Sequence, residues 1–160
     1  MYRKNRPDVL LVAAGGIADG RGLAASLMLG ADGVLVGSRF WAASEALVNP
    51  DMWQAAIDAG GDDTQRSTIV DIVRNKDWPD RYTINLVENE FSKKWHGREA
   101  ALKVDKVAHQ TWQDALDAGN SDIANVFVGE ATGLIHDIKP VAEIIGQMIE
   151  QAKGCLKGYG

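Results

Sequence analysis

Two short apolar runs, each closed by glycine, constrain this chain more than anything else in it. Residues 8–14 read Asp-Val-Leu-Leu-Val-Ala-Ala and meet Gly15-Gly16; Val34-Leu35-Val36 then meets Gly37-Ser38. A run of this kind, bounded by Pro7 and a glycine pair, suits a strand buried on both faces, as in a parallel sheet. Between the runs, Asp19 is placed to cap a helix whose apolar positions Leu23, Ala24, Leu27 and Met28 recur at helical spacing. Gly30 fits the position just past its end. Strand, helix and strand within about thirty residues make one βαβ unit.

The glycines matter chemically. A phosphate needs several donors converging on its oxygens with no side chain in the way, and consecutive glycines let backbone N–H groups come close. Gly15-Gly16 offers amides from one strand end, and Gly37-Ser38 offers amides and a hydroxyl from the next. In (β/α)8 barrels the usual phosphate site is built by the loops after two neighbouring strands. One helix between two glycine sites is the spacing such a site requires. Gly-Gly after a strand is also a common plain turn; the second site at the matching position favours the phosphate reading. Asp19 and Arg21 read as a helix cap and a solvated first-turn residue. A complete barrel needs roughly 200–250 residues, and this chain has 160. It also carries the glycine pair near its start, where a complete barrel would carry it near its end.

The remaining pattern is mostly helical. Ser38 reads as the cap of a helix through Phe40, Trp41 and Ala42-Ala43. Residues 51–59 predict a further helix closed by Gly60-Gly61. Residues 67–73 (Ser-Thr-Ile-Val-Asp-Ile-Val) alternate and are β-branched, which predicts a strand. Residues 75–81 read as a loop, and 82–95 as weakly helical. Residues 98–118 predict one amphipathic helix with Ala101, Val104, Ala108, Thr111, Trp112, Ala115 and Leu116 on one face, stopped by Gly119-Asn120. Residues 122–135 read as helical, interrupted around Gly129 and Gly133. Pro140 fits the first position of a last helix with the stripe Val141, Ile144, Ile145, Met148, Ile149, Ala152 and Leu156. The tail Lys157-Gly158-Tyr159-Gly160 reads as frayed. The chain therefore divides into an α/β region, residues 1–47, and a mainly helical region, residues 48–160.

Charge narrows the function. The formal net charge is −5, and the densest basic cluster, Arg3, Lys4 and Arg6, is short and terminal, so nucleic acid is not an expected partner. No apolar run reaches the length of a membrane span, and the basic N-terminus has no adequate apolar segment after it. Cys155, the single cysteine, reads as an inert thiol near the end of the last helix. These features predict a cytoplasmic protein. His96, His109 and His136 do not have metal-ligand spacing, and no metal is expected. The five tryptophans read as packing residues.

Residues 13–22 (Ala-Ala-Gly-Gly-Ile-Ala-Asp-Gly-Arg-Gly), Leu29-Gly30-Ala31-Asp32-Gly33-Val34 and Gly37-Ser38-Arg39-Phe40 resemble the nitronate monooxygenases, formerly 2-nitropropane dioxygenases. The likeness continues through Trp95-His96-Gly97-Arg98-Glu99 and residues 128–135 (Val-Gly-Glu-Ala-Thr-Gly-Leu-Ile). It covers the chain but only the carboxyl-terminal half of a family member. The resemblance implies the last two strands of an FMN-binding (β/α)8 TIM barrel followed by a mostly helical substrate-domain segment. It implies oxidation of alkyl nitronates with O2 to a carbonyl compound and nitrite. It places the FMN phosphate at Gly16 and at Leu35, Val36, Gly37 and Ser38, with Gly15 their neighbour; serine at 38 keeps the hydroxyl of the family's usual threonine. It places the catalytic histidine and the ring-holding residues in the amino-terminal half, so that this chain alone is expected to be inactive.

Glu130, the one acid in a small, apolar stretch, has two readings: a residue lining the cavity above the flavin, or a polar residue exposed at a bend. Similar glycine sites occur in inosine-monophosphate dehydrogenases, α-hydroxy-acid oxidases and FMN-dependent enoyl-acyl-carrier-protein reductases. The alternatives are therefore a fragment of such a reductase, using NAD(P)H, or a non-catalytic phosphate- or flavin-binding module. Two barrel strands expose edges and apolar faces, so self-association, or a separate amino-terminal half-barrel as partner, is expected unless the helical region covers them.

Overall fold

The computed structural model describes residues 8–79 and 81–158. Strands β1 (Val12–Ala14) and β2 (Gly33–Leu35) pair in parallel, with Val12 opposite Gly33 and Ala14 opposite Leu35. Helix α1 (Gly20–Met28) connects them. Its start follows the sequence: an Asp19 carboxylate oxygen accepts the Gly22 N–H at 3.0 Å. So does its end, where Gly30 takes φ +95° and donates its N–H to the Leu27 carbonyl at 2.9 Å. The predicted βαβ unit forms, with one difference. β1 is three residues long, not seven, and it is not buried on both faces: Leu10 is 80% exposed and Leu35 67%. Among the described residues β1 pairs only with β2, so no further layer covers these apolar side chains.

Helix α2 (Ser38–Trp41) follows β2. A 3-10 turn (Pro50–Met52) leads into α3 (Trp53–Asp58). Strand β3 (Thr64–Ser67) pairs antiparallel with β4 (Ile84–Val87). Between them lies α4 (Ile69–Val73), where the alternating pattern of 67–73 predicted a strand. Only Ser67 of that segment is strand. Ile69, Val70 and Val73 are buried together at positions i, i+1 and i+4, and tertiary burial of one helical face outweighs β-branched propensity. Residues 82–95 resolve into β4 and α5 (Glu90–Trp95), whose cap Asn89 accepts the Ser92 N–H at 2.9 Å.

The single helix expected over 98–118 is two, α6 (Glu99–Leu102) and α7 (Lys106–Asp117). Asp105 accepts the Ala108 N–H at 2.9 Å and starts the second helix afresh. The break turns Ala101 and Val104 outward, and Thr111 is exposed as well; Ala108, Trp112 and Ala115 carry the buried face. Residues 122–135 are not helical except for the 3-10 turn Glu130–Leu134. Helix α8 (Val141–Lys157) begins after Pro140 and runs through Lys157; Tyr159 and Gly160 lie outside the described residues. It buries a narrower stripe than its sequence offers: Ile144, Met148 and Ala152 are covered, while Ile145, Ile149 and Leu156 are exposed.

Packing follows space rather than chain order. One core joins Met52, Ile69, Leu86, Phe91, Leu102, Trp112 and Val126. Two smaller clusters join the first unit to the last: Ala18 and Ala42 with Ala131 and Ile135, and Ala43 with Ile144 and Met148. Trp41 packs against the first core and against the Ala18 cluster. Of the tryptophans, Trp95 and Trp112 are buried, but Trp78 is 61% exposed, so it is not a core residue. No described helix is long and apolar enough to cross a membrane.

Helix α8 crosses α1 at Gly20. A Cβ there would lie 2.3 Å from the Met148 carbonyl oxygen and 2.7 Å from the Ala152 nitrogen. The Gly20 N–H donates to Gln151 Oε1 at 2.8 Å. Gly20→Ala should therefore lower the unfolding free energy by about 1–3 kcal/mol through overpacking against backbone. Gly146→Ala, in open space on α8, should raise it by up to about 1 kcal/mol through helix propensity. Urea denaturation of both variants checks the contrast.

Candidate functional site

The register of β1 and β2 sets the two glycine turns side by side at the carboxyl ends of the strands. Gly15 and Gly16 take φ +94° and +69°, a region open to glycine at no steric cost. At Gly15, Gly16 and Gly37 an added Cβ would meet nothing within 4 Å. The N–H groups of Gly16, Gly37 and Ser38 donate no hydrogen bond among the described residues. The result is an exposed run of free backbone donors with no side chain over it, which suits an anion.

The structure therefore brings Gly15, Gly16, Val36, Gly37 and Ser38 together. Leu35 ends β2 with its side chain outward, and Val36 packs its side chain into the Ile144–Met148 cluster, so both offer backbone only. Ser38 is not the cap of α2; Gly37 holds that position, and the Ser38 hydroxyl has another task. Its Oγ accepts the Gly129 N–H at 2.9 Å. A hydroxyl that accepts one bond still has its own proton to donate.

Glu130 begins the 3-10 turn that follows Gly129, and its side chain is exposed. His109 contacts the Leu102 carbonyl at 3.0 Å through Nε2, and His96 and His136 are exposed. Among the described residues no group of His, Cys, Asp and Glu is arranged to hold a metal ion. Cys155 is partly buried on α8.

Sequence reasoning missed what holds the second turn in place. Arg39, next to Ser38, is buried, and its guanidinium donates to the Asp137 backbone carbonyl at 2.8 Å and to Asp137 Oδ1 at 2.7 Å. Lys139 Nζ lies 2.6 Å from the other carboxylate oxygen. Ser44 adds a backbone bond to the Lys139 carbonyl at 3.1 Å. No local signal in the sequence marks these pairs, because the partners lie 98 residues apart.

Beside this region, Trp41, Val48, Met52, Arg74, Asn125 and Phe127 line an apolar cleft of about 310 Å³. Asn125 is fully buried, and its Oδ1 has no hydrogen-bond partner. The cleft draws walls from the two chain segments that carry the second glycine turn and its Gly129 partner. Trp41 is one helical turn along α2 from Ser38, and Phe127 is two residues before Gly129.

The carboxyl groups of this region are held in their charged form. The Lys139 ammonium bonded to Asp137 holds that carboxyl below its ordinary value, against partial burial and with help from Arg39. At Asp19 burial acts the other way, and the Gly22 N–H and Arg21 outweigh it. A carboxyl lowered in the folded state stabilises the fold fully above its ordinary value, 3.8 for Asp137, and that contribution is lost as pH falls through the lower folded value. Asp137→Asn should be less stable than the wild type near neutral pH, and the two stabilities should draw together as the pH falls below 3.8. Urea unfolding at a series of pH values measures the convergence; parallel curves would show that Asp137 does not contribute in this way.

A family model described as nitronate monooxygenase matches residues 5–151. A nitronate monooxygenase of Neurospora crassa is 34% identical over 154 residues, covering 94% of this chain and 39% of the relative. FabK from Thermotoga maritima has a similar structure, with a TM-score of 0.75 at 28% identity over 96% of this chain and 48% of that one. A nitroalkane oxidase from Streptomyces ansochromogenes gives a TM-score of 0.76 at 22% identity, over 96% and 42% of the two chains, a likeness of fold alone. These neighbours are TIM-barrel proteins, and this chain shares their α/β character. The chain spans about two fifths of the length of the first curated relatives it matches. By its family match and by its identity to curated members, the chain belongs to the nitronate monooxygenase family of flavin-dependent oxidoreductases.

Proposed function

We propose that residues 1–47 are the last βαβ unit of an FMN-binding TIM barrel, that residues 48–160 belong to the substrate-domain side, and that the two glycine turns hold the FMN phosphate. The observation that carries this reading is the pair of adjacent turns with free amides and open space at Gly15, Gly16 and Gly37. Gly16, Gly37 and Ser38 would donate backbone N–H groups to the phosphate, and the Ser38 hydroxyl would add its proton. Leu35 and Val36 would contribute the strand end that sets the direction of the turn. A phosphate monoester fits such a cradle because its amide donors are fixed by backbone geometry before the ligand arrives.

Bound there, the flavin would supply the redox chemistry with O2 that converts an alkyl nitronate to a carbonyl compound and nitrite. This chain's own residues would hold the phosphate and shape the pocket. The cleft behind Trp41 and Phe127 offers apolar walls for an alkyl group, and the Arg74 cation offers attraction for a nitronate anion. Glu130 is a candidate for the pocket rim. No histidine described here is assigned as the base, and the chain alone is proposed to be inactive, with self-association or a separate half-barrel covering the exposed faces of β1 and β2. The protein is proposed to work in the cytoplasm.

A second reading, an FMN-dependent enoyl-thioester reductase, draws on the likeness to FabK. The flavin-loaded protein, completed by the amino-terminal half-barrel, discriminates the two under anaerobic conditions: bleaching by an alkyl nitronate supports the first, and bleaching by NADH supports the second. The phosphate reading itself is tested by titrating the purified chain with FMN and with riboflavin while following flavin fluorescence. FMN should bind at least about tenfold more tightly than riboflavin, since charge-assisted bonds to the phosphate are each worth about 1.5–3 kcal/mol. Equal affinities would exclude a phosphate site, and turnover of a nitronate by the chain alone would overturn the proposed inactivity.

A further inference from the structure

We propose that Ser38 is a positioning residue: its hydroxyl couples an anion in the glycine turns to the order of the segment Gly129–Leu134, and through it to the Phe127 wall of the neighbouring cleft. The inference rests on the phosphate reading above and goes beyond it, because it gives the bound phosphate a structural effect outside its own site.

The segment after Phe127 is held at several points, and all but one are independent of any ligand. Thr132, fully buried, donates its hydroxyl to the Ala56 carbonyl at 2.6 Å. Gly133 packs against the Gly61 backbone, where an added Cβ would lie 3.2 Å from the Gly61 nitrogen. The Arg39–Asp137 pair fixes the far end. The remaining anchor is the Gly129 N–H on Ser38 Oγ, 2.9 Å apart. Only this one shares an atom with the glycine turns.

A serine hydroxyl that accepts a bond and donates none is free to rotate and is a modest acceptor. An anion that takes its proton fixes the rotor and polarises the oxygen. The chain Gly129 N–H to Ser38 O–H to anion then strengthens as a unit, because hydrogen bonds in series polarise one another. The effect lands two residues from Phe127, which packs against the main core and lines the cleft of about 310 Å³. Filling the turns therefore stiffens one wall of the pocket, so that phosphate binding prepares the place where the reacting part of a ligand sits.

The test is amide NMR of the full 160-residue chain, titrated with inorganic phosphate and with FMN at constant ionic strength, with hydrogen exchange read at each end point. The phosphate reading predicts shifts at the Gly16, Gly37 and Ser38 amides. The coupling predicts that Gly129 exchange slows by about tenfold when those shifts saturate. Ser38→Thr should keep the slowing; Ser38→Ala should lose it while Gly16 and Gly37 still shift. Shifts at Gly16 and Gly37 with Gly129 exchange unchanged in the wild type would overturn the coupling and leave the phosphate site standing. No shift with either ligand would remove the phosphate site, and the coupling would fall with it. Because the wild-type comparison decides alone, misfolding of the alanine variant does not blunt the test.

Discussion

The crossing of α8 over α1 at Gly20 is the contact on which the rest of the α/β unit depends. A pair of three-residue parallel strands has no stability of its own, and α1 buries little against them. What α1 does bury lies against a helix that arrives 131 residues later, with Gln151 closing the free N–H of Gly20. The approach is so close that the α8 backbone occupies the space a side chain at position 20 would take. Ile17 and Ala18, which lead from the first glycine turn to this crossing, pack in the two small clusters shared with the last part of the chain. The first glycine turn is thus tied, through Ile17 and Ala18, to the last part of the chain.

The elements legible in the sequence were those with a local cause. Asp19 and Gly30 delimit α1 by capping chemistry that acts within four residues, and Gly119, at φ +71°, ends α7 in the same way. The elements that misled had causes far away. Residues 69–73 carry β-branched side chains, yet they fold as a helix because one face fits against the main core. Residues 98–118 have a continuous apolar period, yet Asp105 captures the Ala108 N–H and divides them. Residues 122–135 are rich in small residues, but the Val126 carbonyl accepts the Val87 N–H at 2.9 Å and the Asn125 amide donates to the Val87 carbonyl and to Asn89, so the segment runs beside β4 instead of bonding within a helix.

The site was legible to the same depth. The glycines and the hydroxyl of the second turn are visible because an anion cradle made of backbone leaves its mark as missing side chains. The groups that hold the candidate cradle are two ordinary charged side chains, Arg39 and Asp137, and the backbone N–H of Gly129, separated from their partners by 98 and 91 residues. The cause is burial, which the sequence does not display: Arg39 is 6% exposed, and a buried guanidinium is costly without a charged or hydrogen-bonded partner. Sequence alone does not say which of the 22 acids answers.

One asymmetry links binding to folding. The main core, from Met52 to Val128, is closed on itself, whereas the unit that bears the glycine turns leaves Leu10, Leu29 and Leu35 at 80%, 88% and 67% exposure. A part of the molecule with uncovered apolar side chains therefore carries its candidate site. An anion that bonds Gly16, Gly37 and Ser38 draws the ends of β1 and β2 together. A surface that covers the apolar faces of β1 and β2 holds the same two strands in register. Both act on one equilibrium, the ordering of the β1–α1–β2 unit, so each must strengthen the other by the same free energy. If the turns take the proposed phosphate, its affinity in the isolated chain would be a lower bound on the affinity reached once the strands are covered, and the deficit would measure how much order a cover supplies.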